Sequence, residues 1–337
     1  MPETASEIRL SLIIPVYNRP DEVAELLESL CNQTVSDFEV IIAEDGSSVR
    51  CDHVVKGFEN RLRITYFDKP NSGPGPTRNA AFARMTGNYG VFLDSDCIIP
   101  PDYVSALLKR LNSDYVDAFG GPDRAADSFT PVQKAINYSM TSFLTTGGIR
   151  GGGEKLDRFF PRSFNMGMSR DVFMRTGGFS PMRFGEDIDL SIRILHEGFR
   201  TALIPEAWVY HKRRTRFRQF FKQIYNSGIA RINLEYRHPG TLKAVHALPA
   251  AFVLGTLCCI VGAALIHPVC LAPIGVHVVL LLLDALIRTM RPDVAILAVV
   301  ASYIQLFAYG TGFLHAFIAR RIFGRGEFAA FQKKFYS

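Results

Sequence analysis

Three long stretches in the last third of the chain carry no Asp, Glu, Lys or Arg, and no other feature restricts the fold as severely. Residues 246–266 form the first, the roughly 20 apolar residues that a membrane-spanning helix needs. His267-Pro268 interrupts the pattern, and the second stretch is uncharged from 269 to 283, before Asp284, its helix being expected to run on to about 287. After Arg291-Pro292-Asp293 the third covers 294–319. Core helices of soluble domains rarely stay uncharged for so long. The chain therefore divides into a polar domain over residues 8–235, membrane segments within 244–320 (about 246–266, 269–287 and 294–319), and a basic tail, 321–337. Three full crossings would put Arg288 and Arg291 on the opposite side from Arg320 and Arg321, against the tendency of basic flanks to share one side. Either that tendency is broken or one segment does not cross. Asp284 weakens the second segment, and Gly310 and Gly312 are expected to loosen the third.

Ahead of these segments, short β-branched runs alternate with helical periodicity. Leu10-Ser11-Leu12-Ile13-Ile14-Pro15, Phe38-Glu39-Val40-Ile41-Ile42-Ala43, Ile64-Thr65-Tyr66-Phe67 and Val91-Phe92-Leu93 read as buried strands. A helix is expected from Asp21, with Val23, Leu26, Leu27 and Leu30 on its apolar face. A second is expected over 80–85, preceded by a Gly/Pro loop, 71–79. Such alternation implies an α/β fold with a mostly parallel sheet, whose ligands sit at the carboxyl ends of the strands. The polar residues fall at those ends: Tyr17-Asn18, Glu44-Asp45, and Asp94 with Asp96. Carboxylates at i and i+2 of an extended segment leave on the same side. At the end of a buried strand they call for a cation, and oxygen ligands suit a hard divalent one. Each piece is also compatible with an ordinary turn; it is their common placement that points to a nucleotide crevice, with Arg78 adding charge near its phosphates.

The formal net charge is +6, with basic residues concentrated at 211–218 and in the tail. Such clusters suit polyphosphate or anionic lipid, and the chain has no helix-turn-helix, zinc-finger or RNP pattern, so no nucleic-acid partner is expected. The six cysteines show no CxxC spacing, so neither a structural zinc site of that type nor a secreted disulfide framework is supported. Residues 1–9 are polar and acidic, unlike a signal peptide.

The series Ile14-Pro15-Val16-Tyr17-Asn18, Glu44-Asp45-Gly46-Ser47, Gly75-Pro76-Thr77-Arg78-Asn79 and Asp94-Ser95-Asp96 resembles family 2 glycosyltransferases of the GT-A fold, over roughly residues 8–235. The resemblance implies a nucleotide-sugar donor bound by Pro15, Tyr17, Asn18, Asp45, Gly75, Arg78 and Asp94. Asp45 would read the base, and Asp94 and Asp96 would hold Mg²⁺ or Mn²⁺ against the diphosphate. Where the family usually has Asp-Asp-Gly-Ser this chain has Glu44-Asp45-Gly46-Ser47. Further along, Phe184-Gly185-Glu186-Asp187 opens a helix, where carboxylates also serve as plain caps. Within the resemblance Asp187 is the catalytic base and Glu186 orients the acceptor. Ile188, Ile192 and Leu195 are expected to face inward. His211, ending a strand at 208–210, is either structural or, by the resemblance, a third metal ligand. The Gln-x-x-Arg-Trp motif of processive synthases is absent between 223 and 231. A helix over 129–144 is expected to turn Phe143 and Leu144 inward, and the glycine-rich stretch 145–153 with Arg150 to form a mobile loop near the acceptor.

These readings converge on a membrane-anchored, inverting, metal-dependent transferase, with a glycan or polyprenyl-linked acceptor, multi-pass in the inner membrane and with its catalytic domain cytoplasmic. Rival readings are a polyprenyl-phosphate sugar synthase, a nucleotidyltransferase that releases pyrophosphate, and a catalytically silent membrane scaffold.

Overall fold

The computed structural model describes residues 7–124, 129–146 and 159–327. The elements are β1 (Leu10–Val16), α1 (Pro20–Cys31), β2 (Phe38–Asp45), α2 (Asp52–Lys56), β3 (Ile64–Lys69), α3 (Pro74–Phe82), β4 (Tyr89–Leu93), β5 (Cys97–Ile98), α4 (Tyr103–Ser113), β6 (Ala118–Gly120) and β7 (Asp123–Arg124). They continue with α5 (Pro131–Thr141), α6 (Phe143–Thr146), β8 (Asn165–Ser169), α7 (Arg170–Thr176), α8 (Glu186–His196), β9 (Thr201–Leu203), β10 (Val209–His211), α9 (Phe217–Arg237), α10 (Leu248–Leu265), α11 (Ala272–Thr289) and α12 (Pro292–Phe317). The chain separates into two compact units. Among the described residues, one comprises 7–124 and 159–211, and the other 129–146 and 212–327.

The first unit is built on a seven-stranded sheet in the order β3-β2-β1-β4-β8-β6-β9. Strands β1 to β4 pair in parallel, as expected, but β8 is antiparallel to both β4 and β6, so the sheet is mixed. Alternate residues of β1 serve opposite faces. Leu10, Leu12, Ile14 and Val16 pack with Val23, Leu26 and Leu30 of α1 and Val104, Leu107 and Leu111 of α4. Ile13 packs on the other face with Phe82 of α3 and Leu190 and Ile194 of α8. The register sets Val16 beside Glu44 and Asp45 beside Lys69, so the polar strand ends lie along one edge.

Two local expectations change. The loop expected over 71–79 ends at Gly73, because Pro74 at the first helical position presets φ and gives up no needed N–H, so Arg78 and Asn79 belong to α3. Ile192 is buried as expected, but the face of α8 laid on the sheet runs through Leu190 and Ile194 rather than Ile188 and Leu195. One turn earlier on that face lie Glu186 and Asp187, and both are buried for that reason.

A small second sheet, β5-β10-β7, brings distant residues together. β10 is antiparallel to β5 with His211 opposite Cys97, and parallel to β7 with Val209 opposite Asp123.

The second unit is helical. Ala135 and Ile136 of α5, Phe220 and Ile224 of α9, Leu281 and Ala285 of α11, and Val294, Ala295, Ala298 and Ala301 of α12 share one buried cluster. Phe143 is 69% exposed, contrary to its expected inward placement, because the chain breaks at Ser142 between α5 and α6. Three helical stretches are long and apolar enough to cross a membrane: Ala244–Leu265, Pro268–Thr289 and Pro292–Ile322. Gly310 and Gly312 tighten the third rather than loosen it. A Cβ at Gly312 would strike the Tyr225 carbonyl of α9, and one at Gly310 would strike the Pro249 carbonyl of α10. Of the stretch 145–153, only Thr145 and Thr146 lie among the described residues; Arg150 lies outside them, as do Lys333 and Lys334.

Candidate active site

The turn after β4 carries Asp94 and Asp96, and β10 delivers His211 to them. His211 Nε2 lies 3.2 Å from Asp96 Oδ1 and 4.0 Å from Asp94 Oδ2, and its Nδ1 lies 3.9 Å from Asp123 Oδ2. The imidazole stacks on Phe164 at 4.9 Å, which fixes its plane. Ligand atoms of Asp96, Cys97 and His211 all lie within 4.8 Å of one another. Burial, and then the charges of Asp96 and Asp94, push the Cys97 thiol far up, so it is neutral and donates to the Phe164 carbonyl at 3.6 Å. The donors that remain are two carboxylates and an imidazole, which fit Mg²⁺ or Mn²⁺. Arg19 lies 3.7 Å from the other Asp96 oxygen.

Arg78 joins this cluster to the second. It is 4% exposed, and its Nη2 donates to Asp94 Oδ1 at 2.7 Å while Nη1 donates to Glu186 Oε1 at 3.2 Å. Its guanidinium lies 5.3 Å from the centre of the Phe179 ring. Asn79, on the next position of α3, holds Phe179 by accepting from its N–H and donating to its carbonyl, both at 2.8 Å. Arg78 is thus committed to two carboxylates rather than displayed to phosphates.

Asp187 Oδ2 accepts from Arg162 Nε at 2.6 Å, and Oδ1 accepts from the Ile188 amide at 2.8 Å. Burial alone would raise this carboxyl, but the Arg162 guanidinium and these hydrogen bonds outweigh it and hold Asp187 below its ordinary value. Glu186 goes the other way: desolvation first, and then the Asp187 charge, push it up to about 7. The two adjacent carboxyls are thereby given opposed proton affinities. Arg162 was not foreseen, and nothing in Pro161-Arg162-Ser163 marks it; only the approach of β8 to α8 brings it there.

At the neighbouring strand ends, Asp45 Oδ1 accepts from Lys69 Nζ (2.6 Å) and the Ser72 amide (2.9 Å), and Oδ2 accepts from the Gly73 amide (2.9 Å). These bonds shape the 70–73 loop around the carboxylate. Asn18 adopts a left-handed φ of 53°, which asparagine tolerates, and its Oδ1 accepts from Ser48 Oγ and the Val49 amide. The turns after β1 and β2 are thereby tied together. Pro15 stays in β1 opposite Ala43. Tyr17 is half-buried just beyond that strand. Gly75 is packed in the first turn of α3, where a Cβ would come within 2.9 Å of the Ser180 carbonyl. Site residues from four separate strand ends and from α8 are therefore assembled, while Asp45, Asn18 and Gly75 are engaged mainly with the protein itself.

Residues 11–184 match the family model "Glycosyl transferase family 2". The chain belongs to glycosyl transferase family 2. Among family relatives, an uncharacterized glycosyltransferase of Rickettsia bellii is 42% identical over 103 residues, 31% of this chain and 15% of that protein. Chondroitin synthase of Escherichia coli is 27% identical over 236 residues, 60% of this chain and 34% of that protein. The chain thus spans only a minor part of these relatives. A mannosyltransferase of Pyrobaculum calidifontis, solved in complex with GDP-Man and Mn²⁺, superposes with a TM-score of 0.66 at 17% identity, covering 92% of this chain and 88% of that one. This likeness establishes the GT-A fold of the family 2 domain, whose sheet and C-terminal apolar helices are those described above.

Proposed function

We propose that this family 2 enzyme transfers a sugar, with inversion, from a nucleotide-diphosphate donor to a hydroxyl of a glycan or lipid-linked acceptor. The observation that carries the reading is the ion-pair chain Asp94–Arg78–Glu186 beside Asp187–Arg162, centred on the buried Arg78, Glu186 and Asp187, which joins a divalent-cation donor set to a carboxylate pair of opposed proton affinity. Asp94, Asp96 and His211 would hold Mg²⁺ or Mn²⁺, which when bound neutralises charge on the departing diphosphate. The Mn²⁺ and GDP-Man of the mannosyltransferase neighbour support a divalent ion and a nucleotide-sugar donor. Asp187, kept ionised by Arg162, takes the proton from the acceptor hydroxyl as it attacks the anomeric carbon. Glu186, protonated near neutrality, donates a hydrogen bond to the acceptor. Arg78 fixes the distance between the donor and acceptor halves. A phosphate acceptor needs no base, so the Arg162–Asp187 pair favours a hydroxyl over a polyprenyl phosphate. The three long apolar helices support a membrane-associated enzyme, and in this reading its catalytic domain faces the cytoplasm, where such donors are made.

The test is incubation of membranes containing the protein with a panel of nucleotide sugars, following nucleoside diphosphate release and acceptor glycosylation. Asp187→Asn should lower turnover on the order of 10²–10⁴-fold with donor affinity retained. Full transfer by that variant would remove Asp187 from the role of base, and pyrophosphate release from a nucleoside triphosphate would replace the whole reading.

A further inference from the structure

Asp123 is a further carboxylate beside Asp94, Asp96 and His211, and the small second sheet fixes where it stands. β7 pairs in parallel with β10, Val209 opposite Asp123 and Tyr210 opposite Arg124, and the Val209 amide donates to the Pro122 carbonyl at 3.0 Å. The approach is close because Gly121 has no side chain. A Cβ there would strike the Ala207 carbonyl, which already accepts from Asn165 Nδ2 at 2.7 Å. Paired residues share a face and successive residues alternate, so Asp123 stands on the face of Val209 and His211. Arg124, one residue on, takes the other face with Trp208, its guanidinium 4.1 Å from that ring's centre.

The His211 imidazole meets a carboxylate at each of its nitrogens. Nε2 is the one nearer Asp96 and Asp94, at 3.2 and 4.0 Å, while Nδ1 lies 3.9 Å from Asp123 Oδ2. Stacking on Phe164, with 13° between the two planes, keeps the ring in this line. A neutral imidazole has one lone pair and one N–H. When the Nε2 lone pair goes to a cation the proton must sit on Nδ1, and the carboxylate facing it there is Asp123. A carboxylate in that place holds the ring's orientation and makes the ligating nitrogen more basic.

We propose that Asp123 is a positioning residue for the metal centre: it accepts from His211 Nδ1–H once Nε2 is engaged, and so fixes the tautomer in which His211 ligates. This rests on the reading that Asp94, Asp96 and His211 hold Mg²⁺ or Mn²⁺. Because Asp123 faces the nitrogen farther from Asp94 and Asp96, it acts on the cation through His211 and not as a ligand. The 3.9 Å separation is about 1 Å longer than a hydrogen bond, so the carboxylate closes by that amount on the loaded site. β7 is an edge strand and the Asp123 side chain is 25% exposed, which leaves it room to do so. The Asp187 charge, and more weakly that of Asp123, also raise Arg162, so a loss at Asp123 has to be traced to one of two partners.

The test titrates Mn²⁺ alone into the detergent-solubilised full chain, reading free Mn²⁺ by EPR. It compares wild type, Asp123→Ala, Asp123→Asn, His211→Ala and the double variant Asp123→Ala/His211→Ala. Asp123→Ala is expected to weaken Mn²⁺ binding on the order of 10–100-fold. Asp123→Asn, isosteric and still able to accept from Nδ1–H, should lose less, which guards against a loss due to misfolding. In the His211→Ala background Asp123→Ala should change the affinity by less than about twofold, since its effect passes through the ring. Unchanged affinity in both Asp123 variants overturns the proposal. So does an equal loss in the His211→Ala background, which would make Asp123 act on the cation without His211. His211→Ala that binds Mn²⁺ as tightly as wild type overturns the donor set itself, and the role of Asp123 with it.

Discussion

Replacing Glu186 by glutamine should make the protein's stability less dependent on pH, in a direction opposite to that of a carboxylate held ionised by a salt bridge. Glu186 is buried, and its carboxyl is raised from 4.5 to about 7 by desolvation and by the adjacent Asp187 charge. The folded state therefore holds a proton that the unfolded chain releases at lower pH. The resulting stabilisation is fully present below about 4.5 and is lost as pH rises through 7. The difference between those two values, at 1.36 kcal/mol per unit, amounts to about 3 kcal/mol. Glutamine keeps an oxygen to accept from Arg78 and has no proton to lose. Thermal unfolding of detergent-solubilised wild type and Glu186→Gln, followed from pH 5 to 8.5, is the assay. The midpoint difference should move in favour of the variant by roughly 6–12 °C across that range, at about 2–4 °C per kcal/mol for a unit of this size. Parallel curves would show that Glu186 is already ionised at pH 5 and would end its assignment as a hydrogen-bond donor to the acceptor.

Arg162→Gln removes the cation that holds Asp187 ionised, so the acid limb of the kcat/KM profile should move to higher pH while the limb in the wild type lies below the neutral range. Asp96→Asn and His211→Ala should each weaken Mn²⁺-dependent donor binding in titration calorimetry by at least tenfold, with little change in metal-free folding; unaltered binding would exclude the donor set. Gly312→Val forces a side chain against the Tyr225 carbonyl and should cost on the order of 1–3 kcal/mol, read as a lower unfolding midpoint, whereas Gly255→Val, where a Cβ meets nothing within 4 Å, should be neutral.

Local chemistry in the chain determined much of this protein without help from tertiary structure. Apolar runs that give way to Asn18, Glu44-Asp45 and Asp94 locate the strand ends, because polar and charged side chains are costly to bury without partners, and helix alternation then dictates where those ends gather. The uncharged length of 246–266 likewise suffices for a membrane helix. Other features are pairings between distant residues, and no window of sequence contains them. His211 reaches Asp96 only through the antiparallel ladder with Cys97, and Arg162 reaches Asp187 only because β8 inserts antiparallel beside β4. The burial that pushes Glu186 and Asp187 apart comes from the face that α8 lays on the sheet, of which periodicity found Ile192 but not Leu190 and Ile194. Gly310 and Gly312 make the same point in the helical unit. A glycine in an apolar helix reads as weakness when seen alone, yet there it admits the backbones of α9 and α10, and its meaning lies entirely in what packs against it.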